Sequence, residues 1–440
     1  MTSGTTEGIN SSEDLRQHQL EGLQATLNRV NRNVRYYHEL FDAIGLVPED
    51  VRSLDDLGKI PYTTKDTLRE NYPYGMFAVK LQEIVRIHSS AGTTGRPTVV
   101  GFNRNDMRHW REVSARVLSL AGVDSCDILL IAFGSSFFTG GAGLHLGAEE
   151  IGATLIPTSS VDLRRHAFMI RDYHVDTLIS TPCYALALAE TFQSLGFSPD
   201  EIPLRKGLFG GEPWDEGIRA SLEESLRIKA YDHYGLSEIY GSGVAAECPC
   251  RSGLHIFEDQ VIPEVIDPST GEVLAPGREG ELVLTTITKE AMPLIRYRTG
   301  DLTTLIDGGC GCGHPYMGIR MARVTGRTGD SIEVSGIEIS AGKIEEVLSA
   351  LFGTLPRFQV VVTRESTNDI VEVHTELPEG SRGPADRTPD QLEEALKKEI
   401  GREIVDLLGS TIRIRFYPPM GLSGIVEHRT KVIDRRFLKR

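Results

Sequence analysis

The feature that most constrains the fold is an alternation of short apolar runs with helical segments between residues 127 and 210. The apolar runs have the length of single strands and lie at 127–133, 153–157, 176–180 and 206–210. Between them, DLRRHAFMIRDY and YALALAETFQSL place apolar residues at helical intervals. Such alternation of fully apolar strands with helices is typical of a largely parallel sheet. The sequence therefore predicts an α/β fold.

The segments on either side of this region predict other kinds of structure. From Leu15 to Val30, apolar residues recur every three or four positions, which predicts an amphipathic helix. After Asp259, VIPEVIDPSTGEVL and GELVLTT read as strands joined by turn residues, which is typical of an antiparallel unit. Further strands and helices follow and predict a small α+β domain. We therefore expect a large multi-sheet domain over 1–329 and a smaller domain over 330–440.

Composition and charge exclude several classes of protein. Hydrophobic residues make up 40% of the 440 residues and charged residues 25%, the balance of an ordinary globular protein rather than a disordered one. The net charge of −15 argues against a nucleic acid partner held by general electrostatics. The apolar runs are too short to cross a membrane, and the polar N-terminus does not resemble a signal peptide. We therefore expect a cytoplasmic protein with no membrane partner.

The most informative motif is HSSAGTTGRPT at 88–98, which combines hydroxyl residues, two glycines and an arginine. Glycines let the backbone approach a ligand closely, and clustered N–H and hydroxyl groups suit phosphate oxygens. The motif lacks the G-K-[ST] ending of a Walker loop. Taken alone, it fits either a phosphate-binding loop or a flexible surface turn.

The six cysteines are unevenly distributed along the chain. Two stand alone, whereas the other four form two C-x-C pairs, at 248–250 and 310–312. In a chain expected to be cytosolic, such pairs indicate a metal site before a disulfide. With His255 close to the first pair, they fit a tetrahedral structural zinc site. Four thiolates without the histidine, reduced cysteines without metal and an iron–sulfur centre are the alternatives.

Further motifs follow the 88–98 segment in order: GGEPW at 210–214, YDHYGLSE at 231–238, YRTGD at 297–301 and TGRTGD at 325–330. Together they resemble the motifs of the acyl-adenylate-forming (AMP-binding) superfamily. FFTGGAGLH at 137–145 and the closing VIDRR at 432–436 are similar to its phenylacetate–coenzyme A ligase branch. The resemblance runs from about residue 30 to the end of the chain. It implies an AMP-binding N-terminal domain and a small mobile C-terminal domain.

The resemblance also implies a reaction. An aryl or arylacetic carboxylic acid would be activated with ATP and Mg²⁺ to acyl-AMP, and the acyl group would then pass to coenzyme A. An acyl-adenylate ligase that uses an amine or a carrier protein as acceptor is the first alternative. A non-catalytic nucleotide-binding protein is the second. Relatives in this branch are often dimers, so a homodimer is an open expectation.

Individual residues take roles by the same resemblance. Glu238 matches the acidic residue that binds Mg²⁺, a hard cation that prefers oxygen ligands. Asp301 and Arg327 match the residues that contact the ribose. The other ATP and AMP contacts would be Ser89, Ser90, Thr93, Thr94, Arg96, Gly211, Glu212, Pro213, Tyr234, Gly235 and Ser237.

Two further sets of residues are implied in this way. One set would line an acyl pocket: Phe137, Phe138, Gly140 and Gly141. The two phenylalanine rings suit an aryl substrate, although they could equally belong to the hydrophobic core.

The second set would bind zinc. Some members of the branch carry C-x6-H and C-x-C at the cysteine positions. That match makes Cys248, His255, Cys310 and Cys312 the zinc ligands and leaves Cys250 over.

The chain departs from the family pattern near its C-terminal end. Members of the branch usually carry a Gly-Lys dipeptide shortly before the close, and that lysine stabilises the adenylation transition state. Counting back from Asp434 places His428 at this position, whereas Lys431 falls where relatives commonly have a second basic residue. Either Lys431 supplies the catalytic cation, or His428 or Arg429 does so more weakly, or adenylation is slow. A neutral histidine is a poor substitute for a fixed charge at pH 7.

Overall fold

The structure is a computed structural model that describes residues 9, 11–89, 98–133, 139–158, 162–211, 214–313, 318–328, 331–334, 337–365, 368–377, 391–397, 412–417, 422 and 432–434. Within it the chain forms two compact units, Met1–Thr325 and Gly326–Arg440. Strands alternate with helices in the first unit, and the predicted α/β class is confirmed. The functional division into 1–329 and 330–440 stays a prediction.

Helices and strands of the first unit have the following bounds. The α-helices are α1 (Ser12–Asn33), α2 (Arg35–Ile44), α3 (Lys65–Glu70), α4 (Arg104–Leu120), α5 (Thr139–Ile151), α6 (Leu163–Asp172), α7 (Pro182–Ser194) and α8 (Glu216–Leu226). The strands are β1 (Arg86–Ser89), β2 (Val99–Phe102), β3 (Ile128–Ile131), β4 (Thr154–Ile156), β5 (Thr177–Ser180), β6 (Lys206–Gly210), β7 (Lys229–Leu236), β8 (Gly241–Glu247), β9 (Leu254–Ile256), β10 (Val261–Ile266), β11 (Glu279–Thr286), β12 (Tyr297–Ile306) and β13 (Arg320–Met321).

The first helix forms where the apolar spacing predicts it. Ser11 caps α1, because its hydroxyl oxygen accepts a hydrogen bond from the Asp14 N–H at 3.1 Å. The buried face of the helix includes Leu15, Leu23 and Val30, all on one side of an amphipathic helix. The predicted helix is therefore confirmed, and its apolar stripe packs into the core of the first unit.

One large sheet organises the first unit, with the strand order β10-β11-β12-β13-β9-β8-β7-β6-β5-β3-β4. Strands β3 to β7 pair in parallel, in the order β4-β3-β5-β6-β7, and four of these five are the apolar runs that the sequence marked as strands. From β7 onward every pairing along the path is antiparallel, which confirms the antiparallel unit predicted after Asp259. The carboxyl ends of the parallel strands lie at one edge, where ligands usually bind in such sheets.

Apolar side chains cover both faces of the parallel strands. Helices α4 and α5 contribute to one cluster, with Trp110 and Leu144 fully buried. Helices α6 to α8 contribute to the other, with Leu188 and Leu222 fully buried. Burial on both faces explains why these strands are apolar along their whole length instead of alternating.

The second unit is a small α+β assembly, as the sequence predicts. Its strands and helix are β14 (Gly326–Arg327), β15 (Ser331–Val334), β16 (Ile337–Ser340), α9 (Ala341–Phe352), β17 (Phe358–Glu365), β18 (Asn368–Glu376), β19 (Ile412–Tyr417) and β20 (Val432–Asp434), and residues 391–397 are also helical. A sheet of order β19-β18-β17-β20 carries the unit. Its core includes Ile344 and Leu348 of α9 packed with Val360 and Val373 of the sheet. None of the described helices in either unit combines the length and apolar character needed to cross a bilayer.

Close contact between α4 and α5 generates a prediction about stability. A Cβ atom on Gly147 would lie 2.5 Å from the Ser114 carbonyl carbon and 2.6 Å from the Ala115 nitrogen. Because both of these atoms are backbone, Gly147→Ala must push the helices apart and should cost about 1–3 kcal/mol of unfolding free energy. Urea denaturation of the purified variant measures this loss.

Gly58→Ala is the matched control, since nothing lies within 4 Å of a Cβ at that position. Replacing this glycine should leave stability unchanged or raise it by about 0.4–1 kcal/mol through the unfolded state. Equal unfolding midpoints for the two variants would contradict the close helix packing.

Candidate functional site

Strand β7 carries most of the candidate site at the carboxyl edge of the parallel sheet. Its neighbour β6 ends at Gly210 and is followed by Gly211, whose φ of +81° lies in the left-handed region that favours glycine. Glu212 and Pro213, which the sequence predicts to line an adenine, lie outside the described residues. Gly235 must remain a glycine, because a Cβ there would lie 1.6 Å from the Gly241 carbonyl oxygen.

Tyr234 and Asp301 meet although they lie on separate strands. The Tyr234 hydroxyl donates a hydrogen bond to Asp301 Oδ2 at 2.6 Å. Strands β13, β9 and β8 lie between β7 and β12 in the sheet order, so the sheet curves back at this point. The Asp301 N–H in turn donates to the Thr299 hydroxyl at 3.1 Å. The two predicted nucleotide contacts are therefore brought together, and Asp301 is a buried carboxylate acceptor.

Glu238 lies just beyond β7 and is 8% exposed. Its carboxylate accepts a hydrogen bond from the Tyr297 hydroxyl at 3.3 Å, and Tyr297 belongs to the same strand as Asp301. Oxygen ligands of this type suit Mg²⁺. The structure therefore places a buried carboxylate beside the strand that bears Asp301, with oxygen atoms of the kind that could hold a cation.

A buried lysine holds the backbone at Glu238. Lys289 is 1% exposed and donates to the carbonyl oxygens of Glu238 and Ile239 at 2.7 and 2.8 Å. Burial lowers the pKa of Lys289 to about 8, against the opposing effect of the nearby Asp106 and Glu238 charges. Its ammonium also lies 4.5 Å from the centre of the Phe102 ring. Lys289 therefore fixes the turn that presents the Glu238 carboxylate.

A second buried charge network lies beside Trp214, just before α8. Asp232 of β7 is buried, and burial together with the Glu247 carboxylate raises its pKa well above the usual range. Its Oδ2 lies 3.4 Å from Nε of Arg323. The guanidinium groups of Arg219 and Arg323 lie 4.8 and 4.6 Å from the Trp214 ring centre. These contacts hold Trp214 in place just before α8.

The remaining predicted ATP and AMP contacts are described only in part. Ser89 ends β1 and pairs with Val99 of β2, so the strand ends that flank residues 90–97 are held together. Ser237 lies in the turn after β7. Ser90, Thr93, Thr94 and Arg96 lie outside the described residues, as does the side chain of Arg327 in the second unit.

Both candidates for the catalytic cation, His428 and Lys431, also lie outside the described residues. So do Phe137 and Phe138 of the predicted acyl pocket. Gly140 and Gly141 lie in the first turn of α5, and a Cβ on Gly141 would lie 3.3 Å from the Phe133 Cβ. The described part of the predicted pocket region is therefore the close contact between the start of α5 and Phe133, just after β3.

Three residues of this region were not singled out from the sequence: Asp232, His233 and Lys289. Asp232 and His233 lie inside the YDHYGLSE motif at 231–238, but only other residues of that motif were assigned roles from the sequence. The only sequence signal for Lys289 is a single lysine next to the apolar AMPLI segment. Their shared property is burial, which depends on neighbours that are distant in the sequence.

A second cluster brings together four possible metal ligands, Cys248, His255, Cys310 and Cys312. All four donor atoms lie within 4.8 Å of one another. Cys248 Sγ lies 3.5 Å from Cys310 Sγ, and the His255 Nε2 atom lies 3.3 Å from Cys248 Sγ and 3.6 Å from Cys312 Sγ. Cys250 is exposed and is not part of this group.

The donor set fits a tetrahedral zinc ion. With Zn–S distances of about 2.3 Å and Zn–N distances of about 2.0–2.1 Å, tetrahedral sulfur donors lie about 3.8 Å apart, and a sulfur and a nitrogen donor lie about 3.5–3.6 Å apart. The three donor distances in this cluster, 3.5, 3.3 and 3.6 Å, lie within about 0.3 Å of these values. Cys248 follows β8, His255 lies on β9, and Cys310 and Cys312 follow β12. An ion here would connect the loops at the end of three strands of the antiparallel region.

Comparison with known proteins places this geometry in a family. Residues 19–288 match the family model of the AMP-binding enzyme, and residues 336–436 match that of the AMP-binding enzyme C-terminal domain. The protein named phenylacetate-coenzyme A ligase from Thermus thermophilus is 43% identical over 416 residues, which are 92% of this chain and 93% of that protein. The protein of the same name from Aromatoleum evansii is 40% identical over 97% of this chain and 96% of its own length.

A solved structure agrees with these matches. The crystal structure of 2-hydroxyisobutyryl-CoA ligase in the postadenylation state, in complex with 2-HIB-AMP, superposes with a TM-score of 0.78 at 25% identity. The superposition covers 97% of this chain and 91% of that one. The family models and the relatives span both units of this protein. The chain therefore belongs to the AMP-binding enzyme family, in the branch of the phenylacetate-coenzyme A ligases.

Proposed function

We propose that this protein is an AMP-forming acid–thiol ligase that converts an aryl or arylacetic acid to its coenzyme A thioester. The observation that carries the proposal is the partly buried hydrogen bond from Tyr234 to Asp301, on a strand whose Tyr297 also contacts the Glu238 carboxylate. This arrangement lies in a chain that is 40–44% identical to four proteins named phenylacetate-coenzyme A ligase. The proposed substrates are the acid, ATP and coenzyme A, and no nucleic acid or membrane is involved.

The first half-reaction forms an acyl-AMP. A carboxylate oxygen of the acid attacks the α-phosphorus of ATP, and the bond to the bridging oxygen breaks as pyrophosphate leaves. In the proposed arrangement, the Asp301 carboxylate accepts hydrogen bonds from the ribose hydroxyls, while Tyr234 holds that carboxylate in place. Bound Mg²⁺ would neutralise phosphate charge, and Glu238, positioned by Lys289, would hold it.

The second half-reaction transfers the acyl group. The coenzyme A thiol loses its proton, its sulfur attacks the acyl carbonyl carbon, and the bond from that carbon to AMP breaks. The proposed division assigns acid and nucleotide binding to residues 1–329. A change in position of the 330–440 domain would then present the thiol, because the two half-reactions need different groups at one site.

Further nucleotide contacts are proposed at the residues that the family motifs indicate. Those on the phosphate segment would surround the triphosphate with hydroxyl groups and one guanidinium: Ser89, Ser90, Thr93, Thr94 and Arg96. Those around the base and ribose would be Gly211, Glu212, Pro213, Gly235, Ser237 and Arg327. The proposed location of the protein is the cytoplasm. The proposed assembly is a homodimer, as is often found among relatives in this branch.

A structural zinc ion is proposed at the Cys/His cluster. Four protein ligands would complete a tetrahedral shell and leave no open position for substrate, so the ion would stabilise the fold instead of taking part in the reaction. Cys248 and His255 lie at the start of the segment that includes β9 to β12, and Cys310 and Cys312 lie at its end. A bound zinc ion would hold the two ends together.

The direct test is acid-dependent exchange of pyrophosphate into ATP with a panel of benzoic and phenylacetic acids, followed by coenzyme A-dependent release of AMP. We expect at least one aryl acid to support both reactions. Exchange without thiol-dependent AMP release would favour an amine or carrier-protein acceptor, and binding of ATP without exchange would contradict the proposed enzyme.

Asp301→Ala should abolish adenylation and leave the fold intact. A hydrogen bond to a charged group contributes about 1.5–3 kcal/mol, so losing two ribose contacts should reduce exchange by about 10² or more. Exchange rates and far-UV circular dichroism measure the two effects. Asp307→Ala is the matched control, because Asp307 is an exposed carboxylate just after the same strand. If Asp301→Ala keeps most of its activity, the ribose assignment is wrong.

The catalytic cation is tested by separate variants. If Lys431 supplies it, Lys431→Ala should lower pyrophosphate exchange by about 10²–10³, the scale for one preorganised electrostatic contact. The reaction of supplied acyl-AMP with coenzyme A should barely change, and His428→Ala should be nearly silent. If His428 occupies the position instead, the two effects on exchange are reversed. Full exchange in both variants would show that neither residue has this role.

The zinc proposal predicts about one equivalent of zinc in protein purified without chelator. Cys310→Ser should lose the metal and lower the melting temperature by about 5 °C or more, since a structural zinc ion contributes folding free energy. Cys126→Ser is the matched control, because Cys126 is exposed and outside the cluster. Metal analysis that finds no zinc, or equal losses in the two variants, would contradict the assignment.

A further inference from the structure

A buried histidine beside the nucleotide site has an unusual hydrogen-bonding state. His233 of β7 is 5% exposed, and neither of its ring nitrogens has a hydrogen-bond partner in the described structure. Buried polar groups in proteins are nearly always hydrogen-bonded, because an unpaired one loses its contact with water without compensation. An unpaired imidazole at this depth therefore indicates a ligand that completes its hydrogen bonds.

Two other buried histidines, His166 and His374, show the ordinary arrangement, whereas His109 also has one ring nitrogen, Nδ1, without a hydrogen-bond partner in the described structure. The ring nitrogens of His166 lie 2.7 Å from the Thr158 hydroxyl and 2.5 Å from the Tyr184 hydroxyl. Those of His374, in the second unit, lie 3.0 Å from Glu372 Oε2 and 3.0 Å from the Tyr417 hydroxyl. Both of these imidazoles are paired on each side, and of these four histidines only His233 has both ring nitrogens unpaired in the described structure.

A glycine on the neighbouring strand makes room for the imidazole itself. His233 pairs with Gly210 of β6, and a Cβ on Gly210 would lie 2.8 Å from both Cε1 and Nε2 of the ring. The Phe133 ring packs edge-on against the imidazole, with 6.0 Å between the ring centres. Phe133 also packs against Gly141 of α5, where an added Cβ would lie 3.3 Å from the Phe133 Cβ. The imidazole thus lies beside the contact between Phe133 and α5, on the side of the sheet where the acyl pocket is predicted.

The position relative to the nucleotide site follows from strand geometry. Successive side chains of a strand point to opposite faces, and Tyr234, the next residue, reaches Asp301. His233 therefore points to the face of β7 that carries Phe133 and α5. A bound acid would have its carboxylate near the nucleotide and its ring on this face.

The chemistry of the imidazole is that of a neutral hydrogen-bonding group. Burial lowers the pKa of His233 to about 4, so the ring is neutral at pH 7, with one nitrogen a donor and the other an acceptor. A hydroxyl or amino group can pair with such a ring. An unsubstituted aromatic ring cannot, and it would leave both nitrogens without partners.

We propose that His233 is a specificity-determining residue of the acyl pocket, and that the acid this protein prefers carries a hydroxyl or amino substituent on its aryl ring. The substituent pairs with the His233 imidazole. This inference rests on the proposed function. A pocket built around a hydrogen-bonding group discriminates strongly against an analogue that lacks the partner, which makes the preference measurable.

The experiment compares kcat/KM for pyrophosphate exchange with benzoic and phenylacetic acids and with their ring-hydroxylated and ring-aminated forms. For the wild-type protein we expect at least about a 10-fold preference for one substituted acid over its parent. His233→Leu should reduce that ratio to near one while the parent acid is still used. His233→Asn, which keeps a donor and an acceptor, should retain part of the preference.

His109→Leu is the matched control, because His109 of α4 is also buried, with its pKa lowered to about 4 by burial, and lies outside the site. It should leave the preference unchanged. The ligand-free His233→Leu protein should melt at or above the wild-type temperature, since the change removes an unpaired buried group. A lower melting temperature together with an unchanged preference would assign the ring a structural role and overturn the inference.

Failure of the inference and failure of the proposed function give different results. Equal kcat/KM for substituted and parent acids, in both wild type and His233→Leu, would overturn the specificity role and leave the ligase activity standing. Absence of exchange with every acid of the panel would overturn the proposed function and this inference with it.

Discussion

The pairing of strand β7 on both sides is the interaction on which the arrangement of the first unit depends. Strand β7 pairs in parallel with β6 and antiparallel with β8, so it joins the parallel and antiparallel parts of the sheet. Backbone hydrogen bonds on both sides fix which face each side chain of β7 takes. Asp232 and Tyr234 share one face, and His233 takes the other. A shift of one residue in this pairing would exchange the two faces and separate Tyr234 from Asp301. The junction between the two kinds of sheet is thus also the centre of the site.

Buried charges hold this junction in a single arrangement. Lys289 lies between Asp106 and the carbonyl oxygens that follow β7, and Asp106 accepts hydrogen bonds from the Glu290 and Ala291 backbone. Removing one member of such a network leaves its partners buried without compensation, so these groups are maintained together. Their effect is to position Glu238, and the candidate site therefore depends on residues that lie outside its predicted ligand contacts.

Distant segments are held together by apolar packing at the candidate nucleotide site and, in our proposal, by a metal ion at the cysteine cluster. At the nucleotide site, apolar burial on both faces of the parallel strands positions the polar edge. Around Cys310 and Cys312, four glycines and one aspartate lie between residues 307 and 313, and this loop offers little apolar surface for a core. A metal ion linking Cys248 and His255 to this loop would supply the stabilisation that packing does not.

The sequence by itself determined the strands, the helices and the family, because their signals are local. Apolar runs of strand length predicted β3 to β6, and ordered motifs indicated Asp301, Glu238 and the metal donors before any contact was known. Only the tertiary structure decided the hydrogen bond from Tyr234 to Asp301 and the burial of Lys289 and His233. A single lysine or histidine has the same local pattern on a surface as in a core. Its hydration and its pKa depend on side chains that folding brings from elsewhere in the chain.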